Sequence, residues 1–181
     1  MKYNKVITLK DGRECTIRNG EYNDGAICLD VFNKTHEETD YLFTYPEEST
    51  MTIEKESDFL QSITDGDTGI ELVCILDGKC VGMAGFDIVR DKIKTRHRAE
   101  FGVSVLKDYW GFGIGRKLCE ACIECAKKAG YAQLELDVVA ENKRAIDLYK
   151  SLGFQEYGRN PLGFKSKYTG YQELIYMRLE L

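Results

Sequence analysis

The octet YWGFGIGR at positions 109–116 is the stretch whose residue types and spacing could bind a phosphate group. It holds three alternate glycines, Gly111, Gly113 and Gly115. Glycine lets the backbone approach a ligand closely, and the first N–H groups of a following helix are free to point at an anion. A tight turn whose glycines serve only packing is the alternative, and the glycines alone do not decide between the two.

Two common phosphate-binding motifs do not fit this octet. A P-loop ends in Gly-Lys-Ser/Thr, whereas Gly115 is followed by Arg116, Lys117 and Leu118. The dinucleotide fingerprint G-x-G-x-x-G would need a glycine where Arg116 stands. The octet is therefore a glycine-rich loop of another kind.

The octet lies where a predicted strand gives way to a predicted helix. Positions 101–106 are apolar and rich in β-branched residues, which is typical of a strand. After the octet, apolar residues recur at the spacing of one helix face, namely Ile114, Leu118, Cys122, Cys125 and Ala129. The glycines thus connect a strand to the N-terminus of a helix.

A second patterned stretch, ENKRAIDLYKSLGF, occupies positions 141–154. Asn142 is a good N-cap, and Gly153 is a helix stop at its C-terminal end. Between them, one helical face is formed by Ala145, Leu148, Tyr149 and Leu152.

These two stretches together resemble the GCN5-related N-acetyltransferase (GNAT) family. Its acyl-CoA pyrophosphate loop is Gln or Arg, two residues, Gly, one residue, then Gly or Ala; Gly113 and Gly115 match, and Trp110 stands at the Gln/Arg position. Its closing motif, Asn-x-x-Ala-x-x-x-Tyr-x-x-x-Gly-Phe, matches 142–154 in full. The resemblance is strongest over 97–158. It implies one N-acetyltransferase domain over 1–181, of α/β (α+β) class, with a mixed, mostly antiparallel sheet and helices on both faces.

The resemblance implies acetyl-CoA as the co-substrate. The backbone of 103–105 would pair with its pantetheine arm, and an N–H near Val105 would donate to the developing oxyanion. Asn142 would contact the cofactor, although a role in capping alone is equally open. The implied cofactor-binding residues are Val103, Ser104, Val105, Trp110, Gly111, Phe112, Gly113, Ile114, Gly115, Arg116, Asn142, Ala145 and Tyr149.

Two residues are the catalytic candidates. Tyr149 matches the family's general acid, which protonates the departing thiolate; the alternative is a core tyrosine on the apolar helix face. An alkyl amine with a pKa of ~10.4 must lose a proton before it reacts. Glu100 is the leading proton acceptor, although it could instead pair across strands with Lys92, Lys94 or Arg98. Weaker candidates are Glu71, Asp137 and Glu135.

Composition excludes several classes of protein. Hydrophobic residues make up 43% and charged residues 30% of the 181, as in ordinary soluble proteins. The formal charge of −5, with no basic cluster outside 92–98, argues against nucleic-acid binding. No apolar run reaches the length of a membrane span, and the first residues lack a signal-peptide core. The seven cysteines are therefore expected as reduced thiols in the cytoplasm.

Three of these cysteines, Cys119, Cys122 and Cys125, are spaced as in some metal sites. In a helix, however, Cys119 and Cys125 lie roughly 120° apart, given ~3.6 residues per turn. Cys122 and Cys125 fall on the apolar face, where cysteine behaves as a small hydrophobe. We therefore expect core packing and no metal.

Periodicity predicts the element order ββααβββαβαββ. The first helix is expected to start after Asn23-Asp24 and to end near Phe32. Positions 34–49 are expected to be irregular, either covering an acceptor site, as the resemblance implies, or anchored by buried rings. The last two strands are expected at 154–158 and 173–179.

These expectations converge on an N-acetyltransferase acting on a primary amine of a small molecule or protein. A non-catalytic acyl-CoA sensor or scaffold is the alternative. The acceptor amine and the quaternary state, including a homodimer, are left open by the sequence.

Overall fold

The computed structural model describes residues 1–181 and is built around one mixed sheet of eight strands. The predicted order ββααβββαβαββ is confirmed. The strands are β1 Asn4–Thr8, β2 Glu14–Asn19, β3 Ile70–Leu76, β4 Lys79–Ile88, β5 Arg98–Val105, β6 Gln133–Val139, β7 Gln155–Ser166 and β8 Gly170–Glu180. The helices are α1 Gly25–Glu38, α2 Ile53–Asp65, α3 Ile114–Lys128 and α4 Lys143–Ser151. No helix is long and apolar enough to cross a membrane.

The strand order is β1-β2-β3-β4-β5-β6-β8-β7, and every neighbouring pair is antiparallel except β5 and β6. The parallel pair is joined by the α3 crossover. It is paired only where Arg98–Glu100 meets Gln133–Glu135. Because β5 continues to Val105 and β6 to Val139, the two strands separate and leave a wedge-shaped gap at their C-terminal ends.

Helices cover both faces of the sheet, as predicted. On one face, α3 buries Leu118 and Cys122 against strand residues such as Leu134 in the main core. On the other face, α1 and α2 bury Val31 and Leu60 against the inner strands. The residues along each strand therefore alternate between an α3 face and an α1/α2 face.

All three cysteines of α3 are buried free thiols. Cys119 is buried as fully as Cys122 and Cys125, because α3 is covered on one flank by Tyr149 of α4 as well as by the sheet. Burial raises the pKa of Cys119 to about 12 and that of Cys125 to about 11. The thiols therefore behave as apolar packing groups.

Two boundaries differ from the sequence-based expectation. Helix α1 continues past Phe32 to Glu38, and within this added stretch Thr35 is buried, with its hydroxyl donating to the Val31 carbonyl at 2.8 Å. Strand β7 runs on to Ser166 instead of ending near 158. Pro161 is tolerated because β7 is an edge strand and its register shifts between Asn160 and Phe164.

Candidate active site

A cavity of about 1070 Å³ opens at the gap between β5 and β6. Its wall combines the ends of β4, β5 and β6 with the octet loop, the start of α4, helix α1 and residues 39–43. The cavity is lined by almost all of the predicted site residues: Glu100, Val103, Ser104, Val105, Trp110, Gly111, Gly113, Ile114, Gly115, Arg116, Asn142, Ala145 and Tyr149.

Phe112 is the predicted residue that does not line the cavity. Its ring lies under the guanidinium of Arg13, 4.9 Å from the ring centroid, and packs against the main core. Only the backbone of Phe112 therefore belongs to the loop surface.

The octet loop presents unpaired backbone donors. Gly111 and Gly113 have φ angles of 92° and 95°, a left-handed conformation that favours glycine. None of the six N–H groups from 111 to 116 donates to a protein acceptor. Gly113 is the N-cap of α3 and supplies no side-chain cap, so the positive end of the helix dipole is also uncompensated. The loop has the donors and the dipole of an anion site.

Four lysine and arginine side chains line the cavity, and all lie on the elements around this loop. Lys10, from the β1–β2 turn, lies beside Gly113, and its backbone N–H donates to the Phe112 carbonyl at 3.2 Å. The others are Arg116 on α3 and Lys143 and Arg144 on α4. The cavity is therefore electropositive at its loop end.

Trp110 ties three elements together at that end. Its indole N–H donates to the Val105 carbonyl at 2.6 Å, and the Arg144 guanidinium lies 4.6 Å from its ring centroid. The first contact holds the loop against the end of β5, and the second is a cation–π contact with α4. Trp110 thus has a positioning role that its place in the motif did not predict.

The free edge of β5 exposes backbone groups to the gap. The backbone carbonyl of Arg98 accepts from the Val89 N–H at 3.1 Å, and the backbone N–H of Leu106 donates to the Val81 carbonyl at 3.0 Å. The backbone groups of the even-numbered residues of β5 therefore bond to β4. The backbone groups of Val103 and Val105 then point the other way, toward β6. Beyond Glu100 no strand pairs with that edge.

Tyr149 projects from the buried face of α4 into the cavity. Its ring packs on Phe101 and Phe154, with centroids 6.3 Å and 5.7 Å away. Its hydroxyl has no protein hydrogen-bond partner, and burial raises the pKa of that hydroxyl above its ordinary value. The residue is therefore both part of the core and a protonated group at the cavity wall.

Asn142 caps α4, since its Oδ1 accepts from the Ala145 N–H at 3.2 Å. Both residues line the cavity as well. The capping role and a contact with a bound molecule are therefore geometrically compatible.

Glu71 is the most perturbed carboxylate of the cavity wall. It bends from β3 over Gly85 of β4, where a Cβ would lie 2.1 Å from its Oε2 atom. No protein group hydrogen-bonds to the carboxylate, and it is enclosed except where it meets the cavity. Burial, with repulsion from Glu56 and Cys80, raises its pKa to about 8.

The other three acidic candidates have different environments. Glu100 is exposed, lines the cavity and forms no ion pair. Burial raises the pKa of Asp137, which also lines the cavity. Glu135 is turned away, because its carboxylate is held by Arg98 and Gln133, and Arg98 lowers its pKa. Glu71, ranked low from sequence, and Lys10, which belongs to no motif, are the site residues that sequence reasoning undervalued or missed.

The aromatic stretch predicted to be irregular covers one side of the cavity. Tyr41, Leu42 and Phe43 line it, and Tyr45 reaches the β7–β8 hairpin, where its hydroxyl accepts from the Lys167 N–H at 2.8 Å. Phe43 packs edge-on against Phe164, with centroids 5.8 Å apart. We call residues 39–49 the roof loop.

Comparison with known proteins places these features in one family. The sequence profile of the acetyltransferase (GNAT) family matches residues 32–154. The chain is 44% identical over 86 residues to an uncharacterized N-acetyltransferase of Methanocaldococcus jannaschii, covering 46% of this chain and 38% of that protein. It is 31% identical over 110 residues to the L-amino acid N-acyltransferase MnaT of Escherichia coli, covering 61% of this chain and 63% of that protein. It is 40% identical over 80 residues to the ribosomal protein bS18-alanine N-acetyltransferase of E. coli, covering 44% and 51%. The matches thus span between 38% and 63% of these relatives.

Solved structures share the fold over nearly the whole chain. An acetyltransferase of the GNAT family from Streptococcus pneumoniae has a TM-score of 0.88 at 27% identity, covering 92% of this chain and 99% of that one. A ribosomal-protein-alanine N-acetyltransferase from Brucella melitensis has a TM-score of 0.81 at 27% identity, covering 91% and 99%. The acetyl-CoA complex of yncA, a putative acetyltransferase from Salmonella typhimurium, shares the fold, with a TM-score of 0.82 at 24% identity and coverage of 92% and 94%.

Proposed function

The chain belongs to the acetyltransferase (GNAT) family, and from that premise we propose that it transfers the acetyl group of acetyl-CoA to a primary amine. The observation that carries this proposal is the row of six unpaired N–H groups at 111–116, at the uncapped start of α3. This row opens into the same cavity as the free edge of β5. One end of the cavity therefore suits a pyrophosphate, and the other suits an extended chain that ends in a reactive carbonyl.

The residues at the loop end fit the phosphates of a coenzyme A molecule. The amides of 111–116 and the helix dipole suit the pyrophosphate, and Lys10, Arg116, Lys143 and Arg144 add positive charge. The backbone groups of Val103 suit the amide-bearing pantetheine arm, as an added strand would. When bound, acetyl-CoA supplies a thioester whose C–S bond breaks as the new C–N bond forms.

Two groups at the wedge suit the charges that develop during transfer. We assign the N–H of Val105 to the thioester oxygen, because that N–H faces the gap and has no strand partner. We assign the Tyr149 hydroxyl to the departing thiolate, because it reaches the cavity, stays protonated and has no competing acceptor. A buried proton donor of this kind contributes about 10²–10⁴-fold to the rate.

The acceptor amine must lose a proton before it reacts, and we assign Glu71 as the general base that accepts this proton. Its carboxylate lies over Gly85, one strand spacing of about 4.8 Å from Gly102, where the sheet surface is open. A pKa of about 8 places proton uptake near working pH, where general bases are most effective. Glu100, the candidate favoured from sequence, lies two residues along β5 from Gly102, is exposed and also lines the cavity, which makes it the direct competitor.

Incubation of the protein with acetyl-CoA and a panel of primary amines tests this function. We expect acceptor-dependent release of free CoA thiol and a product whose mass is higher by one acetyl group. Calorimetry with acetyl-CoA alone accompanies the assay. Tight binding without transfer to any amine would instead favour a non-catalytic acyl-CoA sensor or scaffold.

A further inference from the structure

The acceptor side of the cavity has a floor without side chains. Glu71 of β3, Gly85 of β4 and Gly102 of β5 are in register across three adjacent strands and lie on the α1/α2 face. A Cβ on Gly102 would meet nothing within 4 Å, so the floor is open there. We call the open surface over Gly102 the glycine trough, because the Glu71 carboxylate already lies over Gly85. The Glu71 carboxylate closes its end at β3.

Carboxylates border the rest of the glycine trough. Asp87 and Glu100 are paired in register two residues further along β4 and β5. Asp137 lies across the gap on β6, and repulsion from Glu100 contributes to its raised pKa. None of these three forms an ion pair; Asp87 only accepts from the Ile88 N–H at 2.7 Å. No salt bridge therefore neutralises these three carboxylates, and the nearby Arg98 is held by Glu135.

The positive side chains of the cavity lie elsewhere. Lys10, Arg116, Lys143 and Arg144 surround the octet loop at the opposite end. The one titratable base on the acceptor side is His36 of α1, which stacks on Phe32 and whose pKa is lowered by burial. The lysines and arginines of the cavity thus gather at the phosphate end, beside the single carboxylate of Glu141, and the other carboxylates gather at the acceptor end.

The roof loop limits the size of the acceptor. Besides the Tyr45 and Phe43 contacts, it is fixed to the β7–β8 hairpin by an ion pair between Glu47 and Lys167. Its residues 41–43 line the cavity. The loop therefore covers one side of the acceptor end, which favours a small acceptor over a folded protein surface.

We propose that the acceptor is a small alkyl amine that carries a second cationic group and no carboxylate. This inference rests on the proposed transfer reaction. The reacting nitrogen lies over Gly102 beside the Glu71 carboxylate. The second cation lies among Asp87, Glu100 and Asp137, roughly 6–7 Å away, because two residues of a strand span that distance.

The charges also select against other acceptors. An amino acid would bring its α-carboxylate among Asp87, Glu100 and Asp137, where no lysine or arginine lines the cavity and the nearby Arg98 is already held by Glu135. A monoamine would have no second cation to pair with Asp87, Glu100 and Asp137. Like charges repel, so rejection of anionic amines is as much a consequence of this surface as attraction of dications, and both effects weaken as salt rises.

Calorimetry on the complex with CoA, the unreactive product, tests this inference without relying on transfer. Three amines of equal chain length are titrated: putrescine, n-butylamine and γ-aminobutyrate. We expect putrescine to bind at least about tenfold more tightly than n-butylamine, and γ-aminobutyrate to bind most weakly. The putrescine preference should fall as salt rises, because exposed charges such as Glu100 are screened.

Substitutions test which carboxylates cause the preference for putrescine over n-butylamine. Asp137→Asn and the double change Asp87→Asn with Glu100→Gln should each reduce the ratio of putrescine to n-butylamine affinity toward one. Asp58→Asn, on the exposed side of α2, is the matched control and should preserve the ratio. Equal affinities of wild-type protein for putrescine and n-butylamine, or tighter binding of γ-aminobutyrate, would overturn the inference. Preferential putrescine binding without any transfer would instead refute the proposed reaction and leave the ligand class standing.

Discussion

The Glu71 carboxylate occupies the space that a side chain on Gly85 would fill, since a Cβ there would lie 2.1 Å from Oε2 and 2.6 Å from the Ile70 carbonyl oxygen. Glycine inside a strand normally weakens it. Here the absence of a side chain lets a residue of β3 reach over β4 toward the wedge. The same geometry removes the carboxylate from bulk water, which is the main cause of its raised pKa.

Glu71→Gln should reduce kcat by about 10²–10⁴-fold, because the amide cannot accept the amine proton. Wild-type activity should rise with pH through about 8, as the carboxylate ionises. The variant should lose that step and keep its affinity for acetyl-CoA. Steady-state kinetics from pH 6 to pH 10 provide the measurement, with Glu100→Gln as the competing variant. A large loss in Glu100→Gln together with near-normal Glu71→Gln would return the role to Glu100.

The same substitution should change stability with a definite sign. The pKa of Glu71 rises from 4.5 to about 8 on folding, so between those values the folded state retains a proton that the unfolded state has lost. Wild-type stability is therefore lost progressively as pH rises through this window. The stability of Glu71→Gln relative to wild type should increase by a few kcal/mol between pH 4.5 and pH 8, at about 1.4 kcal/mol per pKa unit. Urea unfolding at a series of pH values measures the difference, and a constant difference would contradict the assignment.

Gly113→Val should abolish acetyl-CoA binding. The residue has a φ of 95°, which costs a side-chain-bearing residue about 1–2 kcal/mol, and the added side chain would project beside the unpaired amides. Its Cβ would otherwise meet only Lys10, at 3.6 Å, so the fold should persist. Calorimetry with acetyl-CoA gives the affinity.

Gly130→Val is the matched control. Gly130 also has a positive φ, of 82°, with nothing within 4 Å of a Cβ, and it lies outside the cavity. Both variants should lose similar stability, and only Gly113→Val should lose binding. Equal affinities in the two variants would argue that the loop does not bind the pyrophosphate.

The α3 cysteines should be chemically inert in the folded protein. Cys119, Cys122 and Cys125 are buried, and burial raises the pKa of each thiol. Because the thiolate is the reactive form, iodoacetamide at pH 8 should label them only after denaturation. Peptide mass mapping reads the labelling, and elemental analysis should find no stoichiometric zinc or iron. Rapid native labelling, or a metal lost on Cys122→Ser, would show the thiols to be functional.

The sequence predicts the loop and α4 well because their signals are local. Gly113 and Asn142 each sit at a helix start, where residue type determines the backbone conformation and cap within a few positions. The environment of Glu71 is different. It depends on the register that brings Gly85 beside it and on the charge of Glu56 from α2, neither of which spacing along the chain reveals.

The sequence predicts the end of α1 too early for the same reason, namely that it depends on contacts between residues far apart in the chain. Positions 33–38 of α1 are polar, with little apolar periodicity, yet the helix continues to Glu38, whose carboxylate accepts from the Lys107 N–H at 2.6 Å. Lys10 reaches the loop only because the β1–β2 turn packs against Phe112. Tertiary contacts of this kind override local propensity, so these features had to be observed.

Tyr149 is the residue to which we assign protonation of the departing thiolate. If its hydroxyl protonates the departing thiolate, Tyr149→Phe removes that proton source and almost no packing volume. We expect kcat to fall by about 10²–10⁴-fold, which corresponds to roughly 3–5 kcal/mol of barrier. Acetyl-CoA affinity and melting temperature should be nearly unchanged, because the hydroxyl has no protein hydrogen-bond partner to lose.

Tyr131→Phe is the control variant, for which we expect a loss of stability without a loss of activity. Tyr131 is equally buried, but its hydroxyl donates to the Thr68 carbonyl at 2.5 Å and lies outside the cavity. That variant should lose about 0.5–1.5 kcal/mol of stability with unchanged kcat, because a single hydrogen bond is broken. If Tyr149→Phe instead loses stability and retains activity, its ring serves the core with Phe101 and Phe154, and the thiolate must take its proton from solvent.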